Sequence, residues 1–293
     1  MIASLPTNPT RLVYLGTPEI AVSPLVELCD AGFEIAMVVT GRDKRRGRGS
    51  SLSHSPVKVK ALELGLPVTH ELSDLLHVET DLGVVVAFGQ IISKNYLEQI
   101  PMLNLHFSLL PRWRGAAPVE RSILAGDLIT GVCLMVVEEE LDTGSICARQ
   151  EVEIGDQTGD ELRQNLVEVG SSMLVKTLKT GLKMPVPQTG SPTYAHKISP
   201  DDLLLDWNQP VEELMNKIRL GGAWTTFRGN RFKIWSASVG SALSKPVGTI
   251  SDDQVAGVNG SLKLLEVQAE NRGRQSFDSW QSGARLNSED RFI

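Results

Sequence analysis

The sequence predicts a doubly wound, mostly parallel α/β sheet followed by a small all-β unit. Three observations carry that prediction. From Arg11 to about Thr180, apolar runs alternate with helical patterns. Those runs are apolar on both faces, as strands of a helix-covered parallel sheet are. Past a stretch rich in Pro, Gly, Ser and Thr at 183–202, short β-type runs follow one another, separated by Gly and Asn-Gly.

Each element has its own signal. RLVYLG (11–16) is a short apolar strand ending in Gly, and TPEIAVSPLVELCDAG (17–32) reads as a helix from about Pro18 that stops at Gly32. FEIAMVVT (33–40) is the second strand. GRDKRRGRGSS (41–51) is a basic loop, carrying Arg42, Lys44, Arg45, Arg46 and Arg48 against Asp43 alone. Ser55-Pro56 is an N-cap followed by Pro at the first helical position, and that helix runs to Gly65. LPVTH is a third strand and LGVVVAFG (82–89) a fourth. MLNLHF (102–107) follows, then a helix around 117–125, GVCLMVV (131–137), the loop EEELDTGS, ICARQEVEI, and a long helix over about 158–181. After the Pro-rich stretch come AWTTFRG, RFKIWSASV, VGTISDD, VAGVNG and SLKLLEVQ. They suggest a small barrel or sandwich.

Composition narrows the function. The 293 residues carry a net charge of −6, unevenly spread. Residues 1–207 hold 18 Lys/Arg against 26 Asp/Glu, a balance of −8; residues 208–293 hold 11 against 9, a balance of +2. An acidic chain with one cationic loop can meet a polyanion at that loop. No apolar run is long enough to span a bilayer, and MIASLPTNPTR lacks the features of a secretory signal. Cys29, Cys133 and Cys147 have no CxxC spacing, so buried free thiols in a cytoplasmic protein are expected, with neither disulfides nor zinc. The turn LGTPEIA has one glycine where a dinucleotide fingerprint needs three, which argues against nicotinamide.

Polar residues gather at one strand end. On a strand, residues i and i+2 share a face, so Asn104, His106 and Ser108 point one way while Leu105 and Phe107 point the other. This end lies at the carboxyl edge of the sheet, where open α/β folds bind ligands. An amide beside an imidazole can hold an oxygen that becomes negative in acyl transfer. The same residues could equally form an ordinary polar strand end. Asp142, in the loop LDTG, could orient His106 or relay a proton, or could simply shape a turn. Arg112 and Arg114 flank Trp113 and suit either nucleic-acid contact or structure. His54, His70, His77 and His196 sit in loop-like contexts and read as solvated.

NLHFSLLPRWRGAAP followed by ELDTGS resembles the formyltransferases that use 10-formyltetrahydrofolate. LGTPEIA, GRGSSLSHSPVK, VAFGQII, PTYAHKIS and WTTFRGNRFKIW extend the resemblance over nearly the whole chain. It implies a Rossmann-like formyltransferase domain over 11–187, a linker at 188–207 and an OB-like tRNA-binding domain over 208–293. It implies transfer of a formyl group from 10-formyltetrahydrofolate to the α-amine of methionyl initiator tRNA, by a monomer that needs no metal; the alternatives are a sugar-nucleotide formyltransferase with the same donor and a non-catalytic tRNA-binding protein. Asn104, His106 and Asp142 match the family's catalytic triad. Ser108, Leu109, Leu110 and Pro111 match its folate contact, and Val86, Phe88, Gly89 and Ile91 would lie near the pterin. Arg42, Lys44, Arg45, Arg46 and Arg48 would clasp the acceptor stem, joined by Arg228, Arg231 and Lys233, with Lys217 and Arg219 nearby. The chain departs from the family pattern at Phe107, at Glu140, and in a shorter run before Trp224.

Overall fold

The computed structural model describes residues 3–45 and 52–293. The chain divides into two compact units. The first comprises Met1–Pro118, Ile129–Glu153 and Arg163–Ala195; the second comprises Val119–Leu128, Ile154–Leu162 and His196–Ile293.

The first unit is built on β1 (Arg11–Gly16), β2 (Glu34–Val39), the two-residue strands β3 (Lys44–Arg45) and β4 (Leu52–Ser53), β5 (Val68–Thr69), β6 (Leu82–Val86) and β7 (Met102–His106). It also holds β8 (Arg114–Gly115), β9 (Ile129–Val136), β10 (Ile146–Glu153) and β11 (Tyr194–Ala195). Seven of these form a sheet in the order β10-β9-β7-β6-β1-β2-β5. β5, β2, β1, β6 and β7 run parallel. β9 and β10 add an antiparallel edge. The sheet is thus mostly parallel, as expected. β6 is buried at every residue, which suits a strand covered on both faces. Strand order reverses at β1, between β2 and β6, so the crevice of a doubly wound fold opens at their carboxyl ends.

Helices α1 (Val22–Asp30), α2 (Pro56–Glu63) and α3 (Lys94–Leu97) connect these strands. α1 begins later than Pro18, after a 3-10 turn at Glu19–Ala21. Pro24 falls in its first turn, where a missing N–H breaks no helical bond. α2 starts as expected: the Ser55 hydroxyl accepts from the Lys58 amide at 3.1 Å, and Pro56 follows. Around Asp43 the side chains converge more than solvated loops would. Its carboxylate accepts from Lys58 Nζ at 2.8 Å and meets His54 Nδ1 at 2.9 Å. His70 Nδ1 meets the Thr40 carbonyl at 2.9 Å, so neither His54 nor His70 is merely solvated.

α4 (Pro118–Leu124) and α5 (Gly159–Thr180) each lie partly in the second unit, which also contains α6 (Val211–Arg219) and α7 (Phe277–Ala284). Its antiparallel sheet runs β12 (Trp224–Phe227), β13 (Asn230–Gly240), β16 (Ser261–Ala269), β15 (Gln254–Ala256) and β14 (Ile250–Ser251), with β17 (Gln275–Ser276) paired to β16. The last residues join its two edges. Phe292 bridges Phe227 on β12, and Arg291 bridges Thr249 beside β14. That closure favours a barrel over a sandwich. Phe292 is buried and stacks on Trp207 at 5.8 Å. Burying such a ring contributes about 1.5–3 kcal/mol, enough to hold a chain end that would otherwise fray.

Two features depart from the expected organisation. α6 precedes the β-type runs as a helix, with Val211, Leu214 and Ile218 burying one face. The segment 188–207 is not a free linker. Its first part, to Ala195, belongs to the first unit through the parallel pair β8–β11. Its second part belongs to the second unit and buries Leu205 and Trp207, whose indole N–H donates to the Thr225 hydroxyl at 3.0 Å.

Candidate active site

β7 carries Asn104 and His106 on one face, flanked by β6 and β9. Leu103, Leu105 and Phe107 are buried on the other. Phe107, the departure from the family pattern, is therefore a packing residue. His106 is 6% exposed and Asp142 8%. Asn104 is half-buried, and its side-chain amide has no hydrogen bond to another described residue. It is the open donor of the site.

The chain after β7 turns back on His106. The Ser108 hydroxyl donates to the Arg112 carbonyl at 2.6 Å, and the Arg112 amide to the Leu109 carbonyl at 3.1 Å. The Leu110–Pro111 peptide is cis. Trp113 sits at φ 65, and its carbonyl lies 2.9 Å from His106 Nε2. A carbonyl only accepts, so Nε2 carries the ring hydrogen. The opposite nitrogen, Nδ1, faces Asp142 Oδ2 at 3.7 Å, an electrostatic distance and not a hydrogen bond. That carboxylate oxygen accepts from the Gly115 amide at 2.7 Å. A neutral His106 therefore has no second N–H to offer a ligand, contrary to the expectation that it donates beside Asn104.

Two glycines make the arrangement possible. Gly115 has φ 121, and a Cβ there would stand 2.9 Å from the Ala195 carbonyl oxygen. At Gly144 a Cβ would stand 1.8 Å from the Val136 carbonyl oxygen. The Asp142 turn can therefore press against the end of β9 only without a side chain at 144.

The remaining expected residues separate by burial. The Val86 and Phe88 side chains lie in the core, so they can offer a ligand only main chain. Ser108 is fully buried and its hydroxyl is engaged, so it does not face a ligand. Leu110 is buried with Cys133 and Met135. Leu109 and Pro111 are half-buried, Gly89 is exposed, and Ile91 is 88% exposed. These, with the Asn104 amide, offer a ligand apolar surface and one polar donor. Arg114 is structural: Nε and Nη2 donate to Gln188 Oε1 at 3.1 and 2.7 Å. Arg112 stacks over the Trp113 ring at 4.5 Å. Burial pushes the Cys133 and Cys147 thiols up to about 11, which leaves them protonated at neutral pH.

The cationic residues separate in the same way. Arg42 pairs with Glu71 at 2.5 Å. Lys44 is exposed, and Lys44–Arg45 pair with Leu52–Ser53. Arg46 and Arg48 lie outside the described residues. Arg228 is engaged: it grips Asp290 at 2.5 and 2.7 Å and donates to the carbonyls of Ala284 and Arg285. Lys217 binds the Leu204 carbonyl and Gln209, and Arg219 binds the Gly155 carbonyl and Asn216. Arg231 and Lys233 differ. They alternate along β13 beside Trp224 on β12, sit over the Trp224 and Trp235 rings at 4.3 and 5.2 Å, and ion-pair with no described carboxylate. Arg274 covers the Trp235 ring at 3.3 Å.

Sequence reasoning missed Gln188 and Thr193. Gln188 Nε2 donates to the carbonyls of Asp142 and Gly144, each at 2.9 Å. The Thr193 hydroxyl accepts from the Trp113 amide at 2.9 Å. For Thr193 the available signal was the run PTYAHKIS (192–199), a specific motif inside a stretch that composition alone assigns to a linker; Gln188 lies outside that run.

The formyl transferase family matches residues 10–178, and the formyl transferase C-terminal domain matches residues 197–285. A methionyl-tRNA formyltransferase of Symbiobacterium thermophilum is 40% identical over 310 residues, covering 96% of this chain and 95% of the relative. Among solved structures, an N-formyltransferase from Helicobacter canadensis in complex with folinic acid and dTDP-3-aminofucose aligns with a TM-score of 0.65. It is 17% identical over 87% of this chain and 98% of that one. A methionyl-tRNA formyltransferase from Clostridium thermocellum aligns with a TM-score of 0.57 at 14% identity, over 90% of this chain and 100% of that one. At such identities the two structures speak for the fold alone.

Proposed function

The chain belongs to the formyl transferase family, and we propose that it moves a formyl group from 10-formyltetrahydrofolate to the α-amine of methionyl initiator tRNA. The observation that carries the choice of acceptor is the 40% identity, over 96% of the chain, to a methionyl-tRNA formyltransferase. The reaction belongs in the cytoplasm, where initiator tRNA is charged, and a monomer suffices for it.

The mechanism follows from the site residues. The amine nitrogen attacks the formyl carbon, and negative charge develops on the formyl oxygen. Asn104 donates its free side-chain N–H to that oxygen. His106, whose Nε2–H is held by the Trp113 carbonyl, presents Nδ1 as a proton acceptor. It takes the proton that the attacking amine loses. The Asp142 carboxylate, 3.7 Å away and fixed by the Gly115 amide, stabilises the resulting imidazolium. The bond from carbon to the donor's N10 then breaks, and His106 returns the proton to N10. One proton is borrowed and returned, so no covalent enzyme intermediate is needed. The exposed 89–91 segment and Leu109 would support the donor molecule.

For the tRNA, Lys44, Arg45, Arg46 and Arg48 would meet the acceptor stem, and Arg231 and Lys233 would contact phosphates. Arg42 would contribute less because Glu71 already pairs it. An assay with charged initiator tRNA and 10-formyltetrahydrofolate, beside one with a dTDP-amino sugar, tests the reading. Formyl-methionyl-tRNA is the expected product. Transfer to the sugar nucleotide alone would overturn the choice of acceptor, and transfer to neither would leave a tRNA-binding protein without catalysis.

A further inference from the structure

Asp142 sits at φ 54, in the left-handed region that few residues other than glycine adopt. Such a turn persists only where its surroundings over-determine it. A side-chain amide has two N–H donors and one oxygen with two lone pairs. Gln188 uses all four: its N–H groups bind the carbonyls of Asp142 and Gly144, and its oxygen accepts twice from Arg114. Arg114 lies between Trp113, whose carbonyl holds His106, and Gly115, whose amide holds the Asp142 carboxylate. One tripeptide thus reaches His106 through its first carbonyl, Asp142 through its last amide, and the backbone of the Asp142 turn through Arg114 and Gln188. The β8–β11 pairing brings Gln188, 46 residues beyond Asp142, to this place.

We infer that Gln188, oriented by Arg114, is a positioning residue that holds Asp142 opposite His106 Nδ1. The inference rests on the transfer chemistry proposed above. Without the two donations, the carbonyls at 142 and 144 turn to other partners, the Asp142 turn relaxes, and the 3.7 Å separation opens. Gln188→Leu removes all four hydrogen bonds. Gln188→Glu keeps the Arg114 pair but supplies no donor, and it sets a carboxylate against two carbonyl oxygens. A displacement of about 1 Å at a catalytic group costs about 10²-fold in rate. Both variants are therefore expected to lower kcat about 10²-fold while each KM changes by less than about threefold.

A double-mutant cycle separates positioning from general weakening. In an Asp142→Asn background the carboxylate to be positioned is gone, so Gln188→Leu should cost less than about threefold more. An equal loss in both backgrounds, or wild-type kcat in the single variants, overturns the inference. A second arm needs no activity. In substrate-free protein with ¹⁵N-labelled histidine, the His106 Nδ1 resonance, assigned with His106→Gln, should move in Gln188→Leu and in Gln188→Glu. A resonance unmoved in both overturns the inference whether or not the wild-type chain transfers formyl groups. A wild-type chain that formylates nothing overturns the proposed function instead, and the resonance then decides on Gln188 alone. If Gln188→Leu does not fold, Gln188→Glu carries both arms.

Discussion

Replacing Arg231, Lys233 and Arg228 one at a time by Gln should separate RNA contacts from structural cations. A cation that neutralises a phosphate releases a counterion. Each such contact steepens the dependence of log Kd on log salt by about 0.7–0.9. Arg231 and Lys233 are stacked on indoles and ion-pair with no described carboxylate. Stacking uses the face of a guanidinium and leaves its in-plane N–H groups for phosphate. Arg228 instead spends its donors on Asp290 and on the carbonyls of Ala284 and Arg285 at the end of α7. Arg231→Gln and Lys233→Gln should each flatten the slope by about 0.7–0.9, and the double variant by about 1.4–1.8. Arg228→Gln should leave the slope unchanged and lower Tm. Filter binding of charged initiator tRNA between 50 and 300 mM KCl measures the slopes, and calorimetry measures Tm. A slope that falls for Arg228→Gln as much as for Arg231→Gln would refute the separation. So would slopes unchanged in all three.

Four further outcomes are expected. Asn104→Ala and His106→Ala should each lower kcat by about 10²–10³ with little change in tRNA affinity; single-turnover rates beside binding curves check this. Asp142→Asn should keep its circular dichroism spectrum and lose most activity, because an amide cannot stabilise the His106 imidazolium as a carboxylate does. Arg48→Ala should reduce kcat/KM for charged tRNA more than Arg42→Ala does, since Glu71 already pairs Arg42; steady-state kinetics at two salt concentrations compare them.

The fourth concerns acid stability. The Arg121 guanidinium, grafted onto Asp202 at 2.7 and 3.1 Å, and the Ser199 amide hold the Asp202 carboxyl at about 2, below its ordinary 3.8. A depressed carboxylate stabilises the fold fully above 3.8, and that contribution is lost as pH falls through about 2. The shift corresponds to about 2 kcal/mol at most, trimmed by partial exposure to about 1–2. Asp202→Asn should therefore cost about 1–2 kcal/mol at pH 7. About half of that difference should be gone near pH 3, as urea titrations of both proteins would show. A difference constant across that range would mean that packing, not charge, was lost.

Local pattern determined much of this protein from sequence alone. Apolar runs on both faces required a covered, mostly parallel sheet, and β1, β2, β6 and β7 lie where those runs stand. Strand alternation placed Asn104 and His106 on one face, because successive side chains on any strand must point to opposite sides. Ser55-Pro56 announced α2 by the same kind of local rule. Tertiary structure decided the rest. Which nitrogen of His106 carries the hydrogen depends on a carbonyl 7 residues away, and the Asp142 turn on an amide 46 residues away. No window of sequence reveals either pairing, since hydrogen bonds of this kind exist only once the chain has closed on itself. Composition likewise could not tell Arg228 from Arg231. Both are arginines of one hairpin, and only the folded tail brings Asp290 to the first and leaves the second on the ring of Trp224. The segment 188–207 read as a linker because Pro, Gly and Ser describe backbone freedom. Its first part meets the Asp142 and Trp113 backbone through Gln188 and Thr193, side chains that find their partners only in three dimensions.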